Sequence, residues 1–238
     1  MLARAEVVLV GTANPENLGG VARLVANFAP AGLCLVAARA RVDDPRALVV
    51  GRMAREVLAA ARAAATLDEA VGEATCVVGF SARRGATRPT VPLTALAAEL
   101  ATRAPAGRVA LVFGPEDAGL SAADVDRCDL VATIDLPGAL PSLNLTQAVA
   151  IALWELARAT AEGQGEPAAR ATATRAELDA LVTHAAAVLG GADGWLGEGP
   201  EGERRRVHLR RMLAEASLTP ADVRALHGLC VQLERERR

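Results

Sequence analysis

The stretch Pro141-Ser142-Leu143-Asn144-Leu145-Thr146-Gln147-Ala148-Val149 joins a polar turn directly to a long apolar segment. The apolar continuation predicts a helix over residues 143–159. Ser142 and Asn144 stand at the edge of this helix, where a buried polar group needs a hydrogen-bond partner. They either cap the helix or present a hydroxyl and an amide to a ligand, and the residues alone leave both interpretations open.

Upstream of this stretch, short apolar runs alternate with helical patterns. Continuous runs of Val, Leu and Ile indicate strands that are buried on both faces. Helices are predicted after Asn17, over residues 46–65 and over residues 94–103. The alternation predicts an α/β fold with a mainly parallel sheet and helices on both of its faces. The predicted strands cover residues 7–10, 33–37, 76–80, 109–113 and 130–134.

A first glycine-bearing turn, NLGGVAR at residues 17–23, lies between a predicted strand and a predicted helix. We interpret Asn17 as the cap of that helix, with Gly19 and Gly20 allowing a ligand close to its N-terminus. Arg23 follows among apolar positions. Its guanidinium either extends to solvent or binds a phosphate or an alkoxide.

A second such turn, FGPEDAGLS at residues 113–121, follows the predicted strand 109–113. A turn glycine at Gly114, a solvated Glu116 and a capping Ser121 explain it without any function, and a binding site explains it equally well. Ligands of parallel sheets bind beyond the carboxyl ends of the strands. The positions of all three turns therefore predict one shared site.

Composition excludes several kinds of chemistry. The 238 residues include no Lys, so the 26 basic residues are all Arg, and neither a Walker A phosphate loop nor a lysine Schiff base is possible. The three histidines, His184, His208 and His227, lie outside the α/β part, which excludes a Ser/His/Asp triad or a histidine metal site there. We predict no metal. An enzyme built on this sheet would depend on a cofactor for its reactivity.

The charge and the cysteines bear on partners and compartment. The net charge of −2 gives no general reason to expect nucleic acid, so a basic surface would have to be local. The four cysteines are far apart, which predicts buried thiols in a reducing compartment. With no leader-like segment and no membrane span in the pattern, we expect a cytoplasmic protein.

The C-terminal part has a different pattern. We divide the chain into a first domain at residues 1–161, a linker at 162–172 and a helical extension at 173–238. Helices are predicted over residues 175–189 and 203–216, and Thr219-Pro220 predicts the cap and first residue of a terminal helix.

The three turns, in this order and spacing, resemble the signature motifs of the SPOUT class of RNA ribose 2′-O-methyltransferases, the SpoU/TrmH superfamily. The resemblance covers residues 1–160. The segment GFSARR at 79–84 and the tail HLRRML at 208–213 are similar to the TrmJ type, which methylates cytidine or uridine 32 of tRNA. The resemblance implies a deep trefoil knot in the C-terminal part of the α/β domain, S-adenosylmethionine as cofactor, a tRNA substrate and a homodimer.

The resemblance also implies site residues. Arg23 would activate the ribose 2′-hydroxyl, and since a guanidinium stays protonated, stabilising the developing alkoxide and orienting phosphate is its safer role. Asn17, Glu116, Ser142 and Asn144 would position Arg23 and the ribose. RNA contacts are expected from Arg23, Arg83, Arg84, Arg210 and Arg211. Cofactor contacts are expected from Phe80, Ser81, Ala82, Gly114, Ile134, Pro141, Ser142 and Leu143. Pro141 stands where the family more usually has a small polar residue, so a hydrogen-bond donor is lost at this position.

Three other interpretations compete with tRNA methylation. The same chemistry on another tRNA position or on ribosomal RNA is the nearest of them, because specificity comes from RNA shape that surface arginines read. A non-catalytic knotted RNA-binding protein belongs to a different class. A small-molecule enzyme on an ordinary parallel sheet is the third.

Overall fold

A seven-stranded parallel sheet forms the centre of the protein. The computed structural model describes residues 1–81, 89–138, 140, 142–162, 172–190 and 195–236. The strands are β1 (Ala5–Val10), β2 (Gly32–Val36), β3 (Arg62–Ala64), β4 (Cys76–Phe80), β5 (Thr90–Pro92), β6 (Val109–Phe113) and β7 (Leu130–Thr133). Their order across the sheet is β3-β2-β1-β6-β4-β7-β5, and each neighbouring pair is parallel.

Helices cover both faces of the sheet. Successive residues of β1 alternate between two cores, with Val7 and Leu9 in one and Val8 in the other. The larger core lies beneath α1, α3, α5 and α7, and the smaller one beneath α4 and the segment around Leu120. The predicted α/β fold is confirmed. The helices of this domain are α1 (Pro15–Phe28), α2 (Pro45–Val50), α3 (Arg55–Ala60), α4 (Leu67–Val71), α5 (Leu93–Arg103), α6 (Ala122–Asp126) and α7 (Leu145–Glu162).

The helix predicted over residues 46–65 is wrong as a single element. It is divided into α2, a 3-10 turn at Arg52–Ala54 and α3, and it is followed by β3. Gly51 marks the break, since a Cβ there would lie 2.9 Å from both the Ala47 carbonyl oxygen and the Leu58 side chain. The strands β3 and β5 were not predicted, because each has only three residues and neither is a continuous buried run.

The first glycine-bearing turn is also different from its predicted form. The helix α1 begins three residues earlier, at Pro15, and the cap is Asn14 instead of Asn17, because the Asn14 side chain accepts a hydrogen bond from the Glu16 N–H. Gly19 and Gly20 therefore lie inside the helix. A Cβ on Gly19 would come within 2.5 Å of the Ala47 carbonyl oxygen, so this glycine serves the close packing of α1 on α2 and does not open the helix N-terminus.

Three further helices form the C-terminal extension: α8 (Arg175–Leu189), α9 (Pro200–Glu215) and α10 (Pro220–Glu236). The predicted helices at 175–189 and 203–216 match α8 and most of α9. Thr219 accepts the Asp222 N–H at 3.2 Å, so the predicted cap of the terminal helix is confirmed. Most of the predicted linker lies outside the described residues, and the division into domains stays a prediction.

A buried ion pair joins this extension to the sheet. Arg175, at the start of α8, lies 2.8 Å from an Asp129 carboxylate oxygen, and both side chains are less than 10% exposed. The other Asp129 oxygen accepts the Val77 N–H at 2.8 Å, which brings β4 into the same contact. Arg175 also donates to the Arg127 carbonyl oxygen. The start of α8 is therefore fixed against the amino ends of β4 and β7.

The predicted state of the cysteines is confirmed. Cys34, Cys76, Cys128 and Cys230 are free thiols, and all four are buried. Burial raises the pKa of the Cys34 thiol to about 11. Within the part of the chain that is described, no helix is long and apolar enough to cross a membrane.

Candidate active site

Two loops meet beyond the carboxyl ends of β1 and β6, which are neighbours in the sheet. The loop after β6 turns sharply, because Gly114 packs against its own continuation: a Cβ on Gly114 would lie 2.2 Å from the Leu120 nitrogen. Gly119 completes the turn with a φ of +66°. This tight turn places Glu116 opposite the loop that follows β1.

Four donors from the loop after β1 and from the first turn of α1 surround the Glu116 carboxylate. One carboxylate oxygen accepts the Thr12 hydroxyl and the Asn17 side-chain amide, both at 2.9 Å, and the Asn14 N–H at 3.4 Å. The other accepts the Ala13 N–H at 3.3 Å. Burial acts to raise the pKa of Glu116, but the hydrogen bonds from Asn17, its own backbone, Thr12 and Ala13 outweigh burial and lower the pKa. Glu116 is therefore ionised at neutral pH.

Asn144 connects the third motif to the same group of side chains. Its side-chain nitrogen donates to the Asn17 side-chain oxygen at 3.1 Å. Its own oxygen accepts the Thr146 N–H at 2.9 Å, which caps α7. Asn144 thus does both things that the sequence left open, since it caps the helix and orients a side chain of the site.

A cavity of about 400 Å³ opens beside Glu116. Enclosed pockets of roughly 300–1,000 Å³ are typical of small-molecule and cofactor sites. Its wall includes a stacked aromatic pair, Phe80 and Phe113, with ring centroids 4.3 Å apart. The apolar wall continues through Ile134, Leu136, Leu143, Leu145 and Ala148, and polar groups are supplied by Ser81, Ser142, Glu116 and Asp117.

Comparison with known proteins identifies the family. Residues 4–154 match the SpoU rRNA Methylase family. The chain is a SpoU methylase. It is 34% identical over 160 residues to a tRNA (cytidine-2′-O-)-methyltransferase TrmJ of Methanocaldococcus jannaschii. The aligned region covers 66% of this chain and 68% of that relative. It is 37% identical over 171 residues to a tRNA (cytidine/uridine/adenosine-2′-O-)-methyltransferase TrmJ of Pseudomonas aeruginosa, which covers 70% of this chain and 65% of that relative.

Solved structures extend the likeness of this SpoU methylase to its helical extension. The crystal structure of TrmJ from Z. mobilis ZM4 superposes with a TM-score of 0.81 at 31% identity, over 97% of this chain and 99% of that one. A putative methylase family protein of Neisseria gonorrhoeae gives a TM-score of 0.68 at 28% identity, over 77% of this chain and 94% of that one. The resemblance to TrmJ-type enzymes is confirmed.

The structure of this SpoU methylase brings most of the predicted site residues together. Asn17, Glu116 and Asn144 form one hydrogen-bonded group, and Ser142 lines the adjoining cavity. The predicted cofactor contacts that also line it are Phe80, Ser81, Gly114, Ile134 and Leu143. Ala82 and Pro141 lie outside the described residues, as do the predicted RNA contacts Arg83 and Arg84.

The arginines that were predicted to contact RNA differ in their exposure to solvent. Arg23 is exposed on α1 and is not part of the cavity wall described above. Arg210 differs from the expectation: its side chain is only 11% exposed, lies 3.5 Å from Asp179, and donates to the Asp126 carbonyl oxygen. Burial lowers the pKa of Arg210, as does the neighbouring Arg175. Arg210 thus contributes to the contact between the extension and α6, whereas Arg211 is partly exposed.

Sequence reasoning missed two threonines of the SpoU methylase site. Thr12 is completely buried and donates to Glu116. Thr146 lies beside Gly20, where a Cβ would come within 3.0 Å of its side chain, and its hydroxyl lies 3.5 Å from two oxygens of Asn17. The sequence gives no distinctive signal for Thr12, because a threonine near a strand end is common.

Proposed function

We propose that this SpoU methylase methylates the ribose 2′-hydroxyl of cytidine or uridine at nucleotide 32, in the anticodon loop of tRNA. The observation that carries the proposal is the convergence of Asn17, Glu116 and Asn144 on one edge of a cofactor-sized cavity. The names of the TrmJ relatives support tRNA as the substrate. The resemblance of residues 79–84 and 208–213 to the TrmJ type supports nucleotide 32.

S-adenosylmethionine is the methyl donor, and it supplies a methyl group on a positively charged sulfur. The cavity fits such a molecule, since its apolar wall suits an adenine ring and the ionised Glu116 at its edge favours a cation. Gly114 lines this cavity and allows the tight turn that places Glu116 beside it, because a Cβ at Gly114 would clash with Gly119 and Leu120. Phe80, Ser81, Ile134, Ser142 and Leu143 would hold the cofactor, together with Ala82 and Pro141. The proposal includes the trefoil knot around this site and a cytoplasmic location.

Arg23 has the catalytic role in this proposal. A guanidinium keeps its proton at neutral pH, so Arg23 stabilises the alkoxide that develops on the ribose and orients the neighbouring phosphate. Asn17, Glu116, Ser142 and Asn144 position the ribose and Arg23. Arg83, Arg84 and Arg211 would bind the tRNA backbone. Placement of two bound reactants accounts for much of the acceleration.

A homodimer would bring Arg23 to a cavity. Arg23 lies outside the cavity wall of its own chain, and the adjoining helix α7 presents an apolar surface, with Trp154 62% exposed and Ile151 37% exposed. Exposed apolar surface of this kind marks an interface. We infer that a second copy covers this face and that Arg23 of one copy serves the cavity of the other.

The test of the activity uses purified protein, labelled S-adenosylmethionine and unmodified tRNA transcripts. Nuclease digestion and mass spectrometry locate the 2′-O-methyl groups. We expect methylation at nucleotide 32 that disappears in Arg23→Ala and persists in the control Arg52→Ala, an exposed arginine of the 3-10 turn. Methylation at a different nucleotide or on ribosomal RNA only would contradict the proposed substrate. Cofactor binding without transfer to any RNA would indicate a non-catalytic RNA-binding protein.

The test of the dimer uses the two tryptophans of the chain. Trp154→Glu places a charge on the apolar face of α7, and we expect its mass in solution, measured by light scattering, to fall to that of one chain. Trp195→Glu is the matched control, because Trp195 is 52% exposed in the helical extension. A monomeric wild type, or a dimer that tolerates Trp154→Glu, would contradict the inferred interface.

A further inference from the structure

The ionised Glu116 determines the direction of a chain of hydrogen bonds. A carboxylate only accepts hydrogen bonds, so Asn17 must present its NH₂ group to Glu116 and its oxygen to Asn144. Asn144 must then present its own NH₂ group to Asn17 and its oxygen to the Thr146 N–H at the start of α7. One charge therefore orients both side-chain amides that connect the first motif to the third.

Thr12 is the hydroxyl donor to that charge, and its own position is fixed from several sides. The residue is completely buried at the carboxyl end of β1. Its carbonyl oxygen accepts two N–H groups of the loop after β2, from Arg39 at 2.8 Å and Ala40 at 3.0 Å. Its hydroxyl donates to the same Glu116 oxygen that receives Asn17. Because the backbone of Thr12 cannot move without breaking these contacts, the hydroxyl holds Glu116 in one place.

Because Thr12 is completely buried, its side chain cannot contact a substrate directly. Any effect of this residue on the reaction must pass through Glu116. We propose that Thr12 is a positioning residue of the methyl-transfer site, which fixes the Glu116 carboxylate and through it the amides of Asn17 and Asn144. This inference rests on the proposed function of the same site.

The decisive variants are Thr12→Val, which keeps the shape and removes the donor, and Thr12→Ser, which keeps the donor. We expect Thr12→Val to lower kcat for tRNA methylation by about 10- to 100-fold, because small displacements of positioning groups have effects of that size. The KM for S-adenosylmethionine should change little, since Thr12 is not part of the cavity wall described above. Thr12→Ser should restore most of kcat.

A pH profile separates positioning from a merely structural role. The Thr12 hydroxyl is one of the hydrogen bonds that lower the pKa of Glu116. Thr12→Val removes this hydrogen bond, so the fall of kcat in acid should begin at a higher pH than in the wild type. In Thr12→Ser the pH profile of kcat should match that of the wild type. The matched control is Thr133→Val, because Thr133 is also a buried threonine at a strand end but bonds to the Val91 carbonyl oxygen. Thermal unfolding monitored by circular dichroism verifies that each variant is folded.

The outcomes distinguish this inference from the proposed function. An active wild type with an unchanged kcat and pH profile in Thr12→Val would overturn the role of Thr12 and leave the function intact. A loss of activity that Thr12→Ser does not restore would also overturn it. If the wild type itself transfers no methyl group, the proposed function fails; a ¹³C NMR titration of Glu116 in wild type and Thr12→Val then still decides whether Thr12 holds the carboxylate, by the presence or absence of the expected shift to higher pH.

Discussion

Glu116 makes the stability of the protein depend on pH. Its hydrogen bonds lower its pKa below the ordinary value of 4.5, so its stabilising contribution is complete above about pH 4.5 and is lost as the pH falls through the lower, folded-state value. Glu116→Gln should reduce the free energy of unfolding by ~1 kcal/mol at neutral pH, a modest value because the residue is partly exposed. The difference between wild type and variant should shrink in acid.

Urea unfolding over a series of pH values measures this difference. Glu56→Gln, at an exposed position on α3, is the control and should give parallel curves for variant and wild type. A constant difference between wild type and Glu116→Gln down to strongly acidic pH would show that Glu116 has no lowered pKa.

The individual site residues were only partly predictable from the sequence. The three motifs indicated Asn17, Glu116 and Asn144, because polar groups after strands or at helix starts are unusual enough to be noticed. Thr12 carries no such signal of its own, since a threonine next to a strand is ordinary. Its role depends on the distance from β1 to the turn after β6, which only the folded sheet establishes.

Two glycines that both lie inside helices should respond in opposite ways to substitution by alanine. Gly19→Ala would place a Cβ against the Ala47 carbonyl oxygen and separate α1 from α2, which should destabilise the protein by ~1–3 kcal/mol. Gly228 lies in α10 with open space around an added Cβ, so Gly228→Ala should stabilise by ~0.4–1 kcal/mol.

The two substitutions are compared by denaturant unfolding at one pH. They share the same chemical change, so a difference in sign isolates the effect of packing. A stabilised Gly19→Ala variant would mean that α1 and α2 can separate at little cost.

Strands that are buried on both faces could be predicted, because their sequences are continuous apolar runs. Short edge strands without such runs could not. The five buried strands β1, β2, β4, β6 and β7 are continuous apolar runs, and all of them were predicted. The short strands β3 and β5 have three residues each, are not continuous buried runs, and lie at the two edges of the sheet. The pattern likewise favoured one helix over residues 46–65, but the chain breaks at Gly51, where an added Cβ would clash with Ala47 and Leu58.

The buried ion pair between Arg175 and Asp129 is one of the contacts that attach the helical extension to the α/β domain. Arg175→Met would leave the Asp129 carboxylate buried without its charged partner, which should lower the free energy of unfolding by ~3–5 kcal/mol. Arg204→Met, at an exposed position on α9, is the matched control and should change it by less than ~0.5 kcal/mol. Limited proteolysis should cleave between the sheet and α8 sooner in Arg175→Met, and an unchanged digestion pattern would argue against this attachment.

The alkylation rates of the buried cysteines can report on local unfolding of the protein. Three of them lie in or beside the sheet, at Cys34, Cys76 and Cys128. Cys230 belongs to α10 and lies in the core that α10 shares with α8. A thiol-specific alkylating reagent reacts only where the structure has opened, because each thiol is shielded from solvent in the native state. Mass spectrometry of each cysteine peptide over time therefore reports separately when the extension opens and when the sheet opens, in the unlabelled wild-type protein.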